Sequence, residues 1–311
     1  MKKALIFGAA GFVGRYMAGE LKRYGYQVIG SDIFDLDHSS CFDGFLVCDL
    51  MNEDQVCAVM EQSHPSAIIN LAAISSVGQS WKMPRRTMEV NVTGAISILE
   101  AARSIVPEAS LLFVGSSEEY AASCEPISEA TPLNANNPYG VSKLALEKLS
   151  EIYRTRYGMK IYHVRSFNHT GIGQKETFVI PGWCRQAARI TKSGREGIMK
   201  VGNTSIVRDF GDVRDVVRAY RLVMESNDCS IVYNIGTGNG VRLSDLLEYL
   251  ISLSPQKIIV KQDSTLFRPA DNPVIICDHQ LITEKLGWEP EYSVFDTVKE
   301  MYEAYLNMDE E

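Results

Sequence analysis

Short apolar runs alternate along the chain with longer stretches in which apolar residues recur every three to four positions. That alternation is the signature of strands interleaved with amphipathic helices. It predicts strands over 4–7, 27–31, 45–48, 67–71, 110–114 and 160–165. Between them it predicts helices over about 11–24, 52–61, 83–104 and 138–157. Parallel strands need a crossover long enough to hold a helix, so this order calls for a parallel sheet covered on both faces. The expected fold class is α/β, a Rossmann-type doubly wound sheet over 1–170. Past Gly171 the regularity weakens and glycines at 194, 197, 202, 236, 238 and 240 punctuate the chain. Residues 171–311 are therefore expected to form a smaller α/β region, with a segment at about 205–240 returning to the first domain.

Composition narrows the class. Apolar residues make up 45% and charged residues 23% of the 311 positions, which excludes a disordered chain. Lys and Arg number 31 against 39 Asp and Glu, a net charge of −8 that excludes a broad polyanion-binding surface. A local cationic pocket is compatible with that balance. Seven scattered cysteines without a CxxC pair fit a reducing cytoplasm. The dispersed histidines suggest no metal site. Glycines at 8, 11 and 14 interrupt the apolar N-terminus, so it does not read as a signal peptide. No apolar run reaches 18 residues, the length that would span a membrane.

The first chemical signal is Gly8-Ala9-Ala10-Gly11-Phe12-Val13-Gly14, between the first predicted strand and helix. In that context the glycines permit a tight turn and close approach of a pyrophosphate to a helix N-terminus. Asp32, at the end of the second strand, is placed to accept hydrogen bonds from an adenosine ribose and to repel a 2′-phosphate. NAD(H) is the expected cofactor, with NADP(H) as the alternative. The second signal is Tyr139 and Lys143, one turn apart on a helix face. An ammonium near the phenol is expected to lower its pKa and make Tyr139 an acid or base near neutrality. Ser116, at the end of the fifth strand, is a hydroxyl that can share a substrate oxygen with it.

Together with Asn70-Leu71-Ala72-Ala73, Asn91-Val92-Thr93-Gly94 and Ser116-Ser117-Glu118, these motifs resemble the extended short-chain dehydrogenase/reductases, the NAD-dependent epimerase/dehydratase family. The resemblance spans the chain, since Asn168-His169-Thr170-Gly171, Val201-Gly202-Asn203, Arg208–Asp215 and Arg268-Pro269-Ala270-Asp271 also match. Within the family it is most similar to the branch that reduces GDP-4-keto-6-deoxy-D-mannose to GDP-D-rhamnose. Ala121 and Ile172 depart from the family's usual Gly and Pro.

What the resemblance implies is hydride transfer to a C4 keto group. Tyr139 would protonate the oxygen, Ser116 share its hydrogen bond, and Lys143 hold the nicotinamide ribose. Glu118 would be an acid/base if the enzyme is a dehydratase, or a hydrogen-bonding group if it is a reductase. The cofactor would lie along Gly8, Gly11, Phe12, Val13, Gly14, Asp32, Asp49, Leu50, Leu71, Ala72, Ala73 and Asn91. Ser75 and Ser76 either touch the sugar or cap the next helix. Ser117, Asn168 and Val179 would line the substrate pocket, with Lys200 against the base. Arg208 and Arg268 would hold the diphosphate, with Asp271 beside them. The implied partners are a GDP-sugar and a second copy of the chain, docked as a four-helix bundle through Ile96, Leu99, Leu146 and Leu149. The competing readings are a dehydratase or 4-epimerase with retained NAD, and a dinucleotide binder without turnover.

Overall fold

The computed structural model describes residues 2–34, 41–267 and 272–308. Its first half runs β1 (Lys2–Phe7), α1 (Phe12–Arg23), β2 (Tyr26–Asp32), β3 (Gly44–Val47), α2 (Glu53–Ser63), β4 (Ala67–Asn70) and α3 (Val77–Lys82). There follow α4 (Pro84–Met88), α5 (Gly94–Ile105), β5 (Ser110–Ser116), α6 (Pro138–Tyr157) and β6 (Lys160–Ser166). The second half holds β7 (Asn168–Thr170), α7 (Val179–Ser193), β8 (Gly197–Val201), β9 (Val207–Asp212), α8 (Val213–Met224) and β10 (Val232–Ile235). It ends with β11 (Gly240–Arg242), α9 (Leu243–Ser252), β12 (Ile258–Gln262), β13 (Val274–Ile275), α10 (Gln280–Leu286) and α11 (Val294–Asn307).

Seven strands form one sheet in the order β10-β6-β5-β4-β1-β2-β3, every pair parallel. The strands are apolar on both faces, as a sheet covered twice requires: β4 is buried at all four positions. On one face α1 and α8 bring Met17, Leu21, Val216 and Tyr220 against it. On the other, α2, α5 and α6 bring Met60, Ile98, Leu99 and Leu146. Strand order reverses between β1 and β4, and register aligns Phe7 with Asn70, Asn70 with Phe113, and Ser116 with Ser166. The crevice at such a reversal is where open α/β sheets bind ligands. A second sheet centres on β9, which pairs with β11, β13 and β7. β8 and β12 pair separately, and α7, α9 and α11 pack a third core around Trp183, Leu246 and Met301.

One expectation is refined here and another corrected. The helix expected over 83–104 is present as one continuous helical run over 84–105, made of α4, one π-helical turn (Glu89–Thr93) and α5, with α3 separate before it. The break falls at Met83, with φ −136° and ψ 58°, because a residue before proline is excluded from the helical region. Apolar periodicity is blind to that restriction. Leu99 and Leu146, assigned to an intersubunit bundle, are buried in the chain's own core. The outward apolar residues of α6 are Val141 and Ile152.

Candidate active site

The loop after β1 is built from glycines because nothing larger fits. Gly8 has φ +76°, and a Cβ there would lie 2.5 Å from the Ala72 nitrogen in the loop after β4. A Cβ on Gly14 would lie 2.3 Å from the Ala9 oxygen. Gly11 is the N-cap of α1 and supplies no side-chain cap, so the first N–H groups of that helix remain for a ligand in the cleft. Gly8, Gly11, Phe12, Val13 and Gly14 line that cleft, about 350 Å³ in volume, together with Leu71 and Ala73. Asp32 clasps the turn from β2, its Oδ2 accepting the Ala10 N–H at 3.1 Å and its Oδ1 accepting the Ile33 N–H at 2.8 Å. An uncapped helix end beside a cradle that a Cβ would fill fits a dinucleotide.

The carboxyl end of β5 and the first turn of α6 meet on the cleft. Asn137 caps α6 by accepting the Gly140 N–H at 2.9 Å, and its amide donates to Glu118 Oε2 at 2.8 Å. Proline at the first helical position follows without cost, since its missing N–H has no helical partner there. This sets Ser116, Ser117, Glu118, Tyr139 and Lys143 along one wall. Lys143 is buried; its Nζ donates to the Val114 oxygen at 2.7 Å and lies 5.7 Å from the centre of the Tyr139 ring. Burial pushes Lys143 down to about 8.

The expectation that Lys143 lowers the Tyr139 pKa does not hold in this arrangement. Desolvation raises the phenol well above its ordinary value, and hydrogen bonding to Ser116 offsets only part of that rise. The Lys143 ammonium donates to the Val114 carbonyl and lies 5.7 Å from the centre of the phenol ring. The phenol is therefore a proton donor at neutral pH.

The opposite wall comes from β7 and the segment that leads into α7. Asn168, His169, Gln174, Lys175, Phe178 and Val179 face the cleft, with Phe210 and Tyr220 behind them. The His169 ring stacks on Phe12, 6.4 Å between centres and 16° between planes. Gln174 accepts from Thr170 Oγ1 at 2.7 Å and donates to the His169 oxygen at 3.1 Å, which fixes the loop. Tyr220 and Ser166 pair hydroxyl to hydroxyl at 2.5 Å.

With this geometry in hand, the chain was compared with known proteins. The sequence pattern of the family described as GDP-mannose 4,6 dehydratase matches residues 5–301. The chain belongs to that family. It is 31% identical to a GDP-6-deoxy-D-mannose reductase of Pseudomonas aeruginosa over 78% of this chain and 80% of the relative. Its fold superposes on the structure of RMD from Pseudomonas aeruginosa complexed with NADPH, with TM-score 0.87, 27% identity and 98% and 99% of the two chains covered. A UDP-glucose 4-epimerase from Brucella ovis in complex with NAD gives TM-score 0.87 at 28% identity over 99% of both chains. The Rossmann-type α/β fold is that of these NAD(P)-dependent nucleotide-sugar enzymes.

As a member of the GDP-mannose 4,6-dehydratase family the chain brings most of the anticipated residues to one cleft, but not all. Ser75 and Ser76 both line it, and Ser76 also caps α3 by accepting the Gln79 N–H at 3.3 Å. Asp32, Ala72 and Asn91 sit just behind the lining. Asn91 is buried in the π-helical turn, accepts the Ile74 N–H at 2.8 Å and donates to Ser142 Oγ at 2.9 Å. It ties the loop after β4 to α6, and a π-turn is a recurrent device for aiming such a side chain. Asp49 is exposed and accepts the Met51 N–H at 2.9 Å, while Leu50 is a core residue; neither lines the cleft.

The substrate-side cations differ most from expectation. Lys200 points outward on β8, 3.8 Å from Asp263. Arg208 is buried at the start of β9 and donates to the Val207 oxygen at 2.8 Å, away from the lining. Arg268 and Asp271 lie outside the described residues. Among the described residues, a cation that lines the cleft beside β7 is Lys175, which was not anticipated from the sequence. It sits in a loop without periodicity, five residues past Thr170, and its only signal was that proximity to a motif. Gln174 shares that loop; His169 stands on β7 inside the quoted motif without having been assigned a role, and Tyr220 lies on the core-facing side of α8, where its periodicity reads as packing.

Other expectations have structural counterparts. All seven cysteines are free thiols. Among the described residues no helix is long and apolar enough to cross a membrane. One group among them offers three buried ligand atoms, Glu119, Glu147 and His163.

Proposed function

We propose that the protein is a nucleotide-sugar reductase that delivers hydride to the C4 keto group of a GDP-4-keto-6-deoxyhexose, giving a GDP-D-rhamnose-type product. The observation that carries this reading is the convergence of Tyr139, Ser116 and Lys143 on one wall of the cleft, beside the glycine turn. When bound, the nicotinamide supplies the hydride. Tyr139 gives its proton to the oxygen as negative charge develops there, and Ser116 donates a second hydrogen bond to it. Lys143, fixed by the Val114 carbonyl, presents its remaining protons to the nicotinamide ribose. The wall from Asn168 to Val179 orients the sugar, and Lys175 meets a phosphate. Positioning by these groups accounts for much of the rate.

NAD(H) is the preferred cofactor in this reading, because the Asp32 carboxylate stands where a 2′-phosphate would be repelled. An Asp32→Ala enzyme is expected to gain NADPH activity relative to NADH; an unchanged ratio removes that role. Residues 1–170, joined by α8 and β10, form the dinucleotide domain, and the remainder the sugar-binding region. A homodimer would use the outward residues Val141 and Ile152 of α6. The free thiols suit the cytoplasm.

A second reading, 4,6-dehydration, is favoured by Glu118, which faces the cleft and is held by Asn137. Incubation with GDP-4-keto-6-deoxymannose and NADH or NADPH separates the two. Loss of reduced-cofactor absorbance supports the reductase. Conversion of GDP-mannose without net cofactor consumption would establish the dehydratase in its place.

A further inference from the structure

Two consecutive acids at the end of β5 face opposite ways. Glu118 lines the cleft, whereas Glu119 is completely buried behind it. Glu119 Oε1 accepts the Ser116 N–H at 2.6 Å. Ligand atoms of Glu119, of Glu147 on α6 and of His163 on β6 all lie within 4.8 Å of one another. Neither Glu119 Oε2 nor either ring nitrogen of His163 has a conventional donor or acceptor partner. The backbone of β5 rests directly on this group: a Cβ on Gly115 would lie 2.4 Å from Glu119 Oε1 and 2.5 Å from His163 Nε2.

Two carboxylates cannot both be ionised in so small a buried space, so one keeps its proton. Glu147 is the ionised member, since Arg165 grips its two oxygens at 2.6 and 2.8 Å. Glu119 is the neutral acid, and its proton faces Glu147. Burial and the Glu147 charge hold its carboxyl up at about 8. A metal ion is not the occupant, because Arg165 already neutralises Glu147 and Lys143 adds its own charge beside His163.

We propose that Glu119 is a positioning residue for the reduction: a neutral acid, wedged against Glu147 and His163, that holds the Ser116 N–H and so aims the Ser116 hydroxyl at the substrate oxygen. The inference rests on the reductase reading. The groups around Glu119 are Tyr139, Lys143 and Glu147 from α6, His163 and Arg165 from β6, and Glu118 and Tyr120 beside it in the chain. Removing its proton places a second anion next to Glu147 and drives the two carboxyls apart, which disturbs the Ser116 backbone that Glu119 holds.

Glu119→Gln and Glu119→Leu test this in the full-length enzyme. The glutamine keeps an acceptor for Ser116 and a donor for Glu147, so kcat at pH 7 should stay within about twofold of wild type. The leucine has similar volume and neither group, and kcat should fall about tenfold while KM moves less than about twofold. Infrared spectra supply a readout that packing alone would not move. The wild type should show the C=O stretch of a protonated carboxylic acid at pH 7, fading as pH rises through about 8, and Glu119→Gln should lack it. A band that persists in Glu119→Gln overturns the proposal, as does wild-type kcat in Glu119→Leu. If the leucine variant does not fold, the glutamine band and kcat decide. The band needs no turnover, so an inactive wild type overturns the reductase reading, while the infrared result still reports the state of Glu119.

Discussion

The carboxyl edge of the large sheet and the sheet around β9 both gather polar residues, yet they use them oppositely. At the carboxyl edge of the large sheet, Ser116, Glu118, Tyr139 and Lys143 are turned toward the cleft. Around β9 the acids are turned inward. Asp209 is fully buried and accepts the N–H groups of Thr237, Gly238 and Cys277 as well as the Thr237 hydroxyl. Asp212 caps α8, pairs with Arg214 and accepts from Thr297. Asp215 accepts the N–H groups of Glu291 and Tyr292. The first region holds chemistry in place. The second closes the loops that form the far side of the molecule, because each backbone donor left unmatched in the interior carries a penalty.

The contrast can be broken experimentally. The largest effect is expected from Tyr139→Phe, which should lower kcat at least about 100-fold by removing the proton donor, with thermal stability unchanged. A variant that keeps its kcat would end the assignment of this edge to chemistry. Asp209→Ala should do the reverse and destabilise the fold by about 2 kcal/mol, because four donors lose one acceptor. Denaturant unfolding measures that loss, and the folded fraction should keep its turnover.

Lys175→Ala should raise KM for the nucleotide sugar about fivefold with kcat nearly constant, as expected for one exposed charge on a phosphate. A fall in kcat alone would place Lys175 in the chemistry instead. The smallest effect concerns His163. Burial holds this imidazole at about 3 against an ordinary 6.5, so between those values the unfolded chain binds a proton that the folded chain does not. Stability should therefore fall as pH drops from about 6.5 toward 3. In His163→Leu that acid loss should be shallower by about one proton, measured by unfolding at pH 7 and pH 5.

Much of the site was legible because its residues carry local rules. Gly8 to Gly14 had to follow a strand and open a helix, and Tyr139 with Lys143 had to share a helix face. Lys175 and His169 carry no such rule: Lys175 lies in an irregular loop and His169 on the short strand β7, which its pairing with β9 sets beside the cleft. Arg208 was expected at the diphosphate. It is buried on β9 two residues before Phe210, which lines the cleft, so strand alternation puts the two on one face. The helix expected over 83–104 was legible too; what apolar periodicity did not register is its π-helical turn at Glu89–Thr93.

By itself, then, the sequence determined the α/β order, the glycine turn with Asp32, and the Tyr139–Lys143 spacing, because each depends on contacts a few residues apart or on one helix face. Only the tertiary structure decided that the Tyr139 phenol is raised rather than lowered. It also decided that Glu119 faces Glu147 and His163 while Glu118 faces the cleft, and that Asp209 and Arg208 belong to the interior. Those outcomes depend on burial and on groups brought together from β5, α6, β6 and β9, and desolvation acts on neighbours in space rather than along the chain.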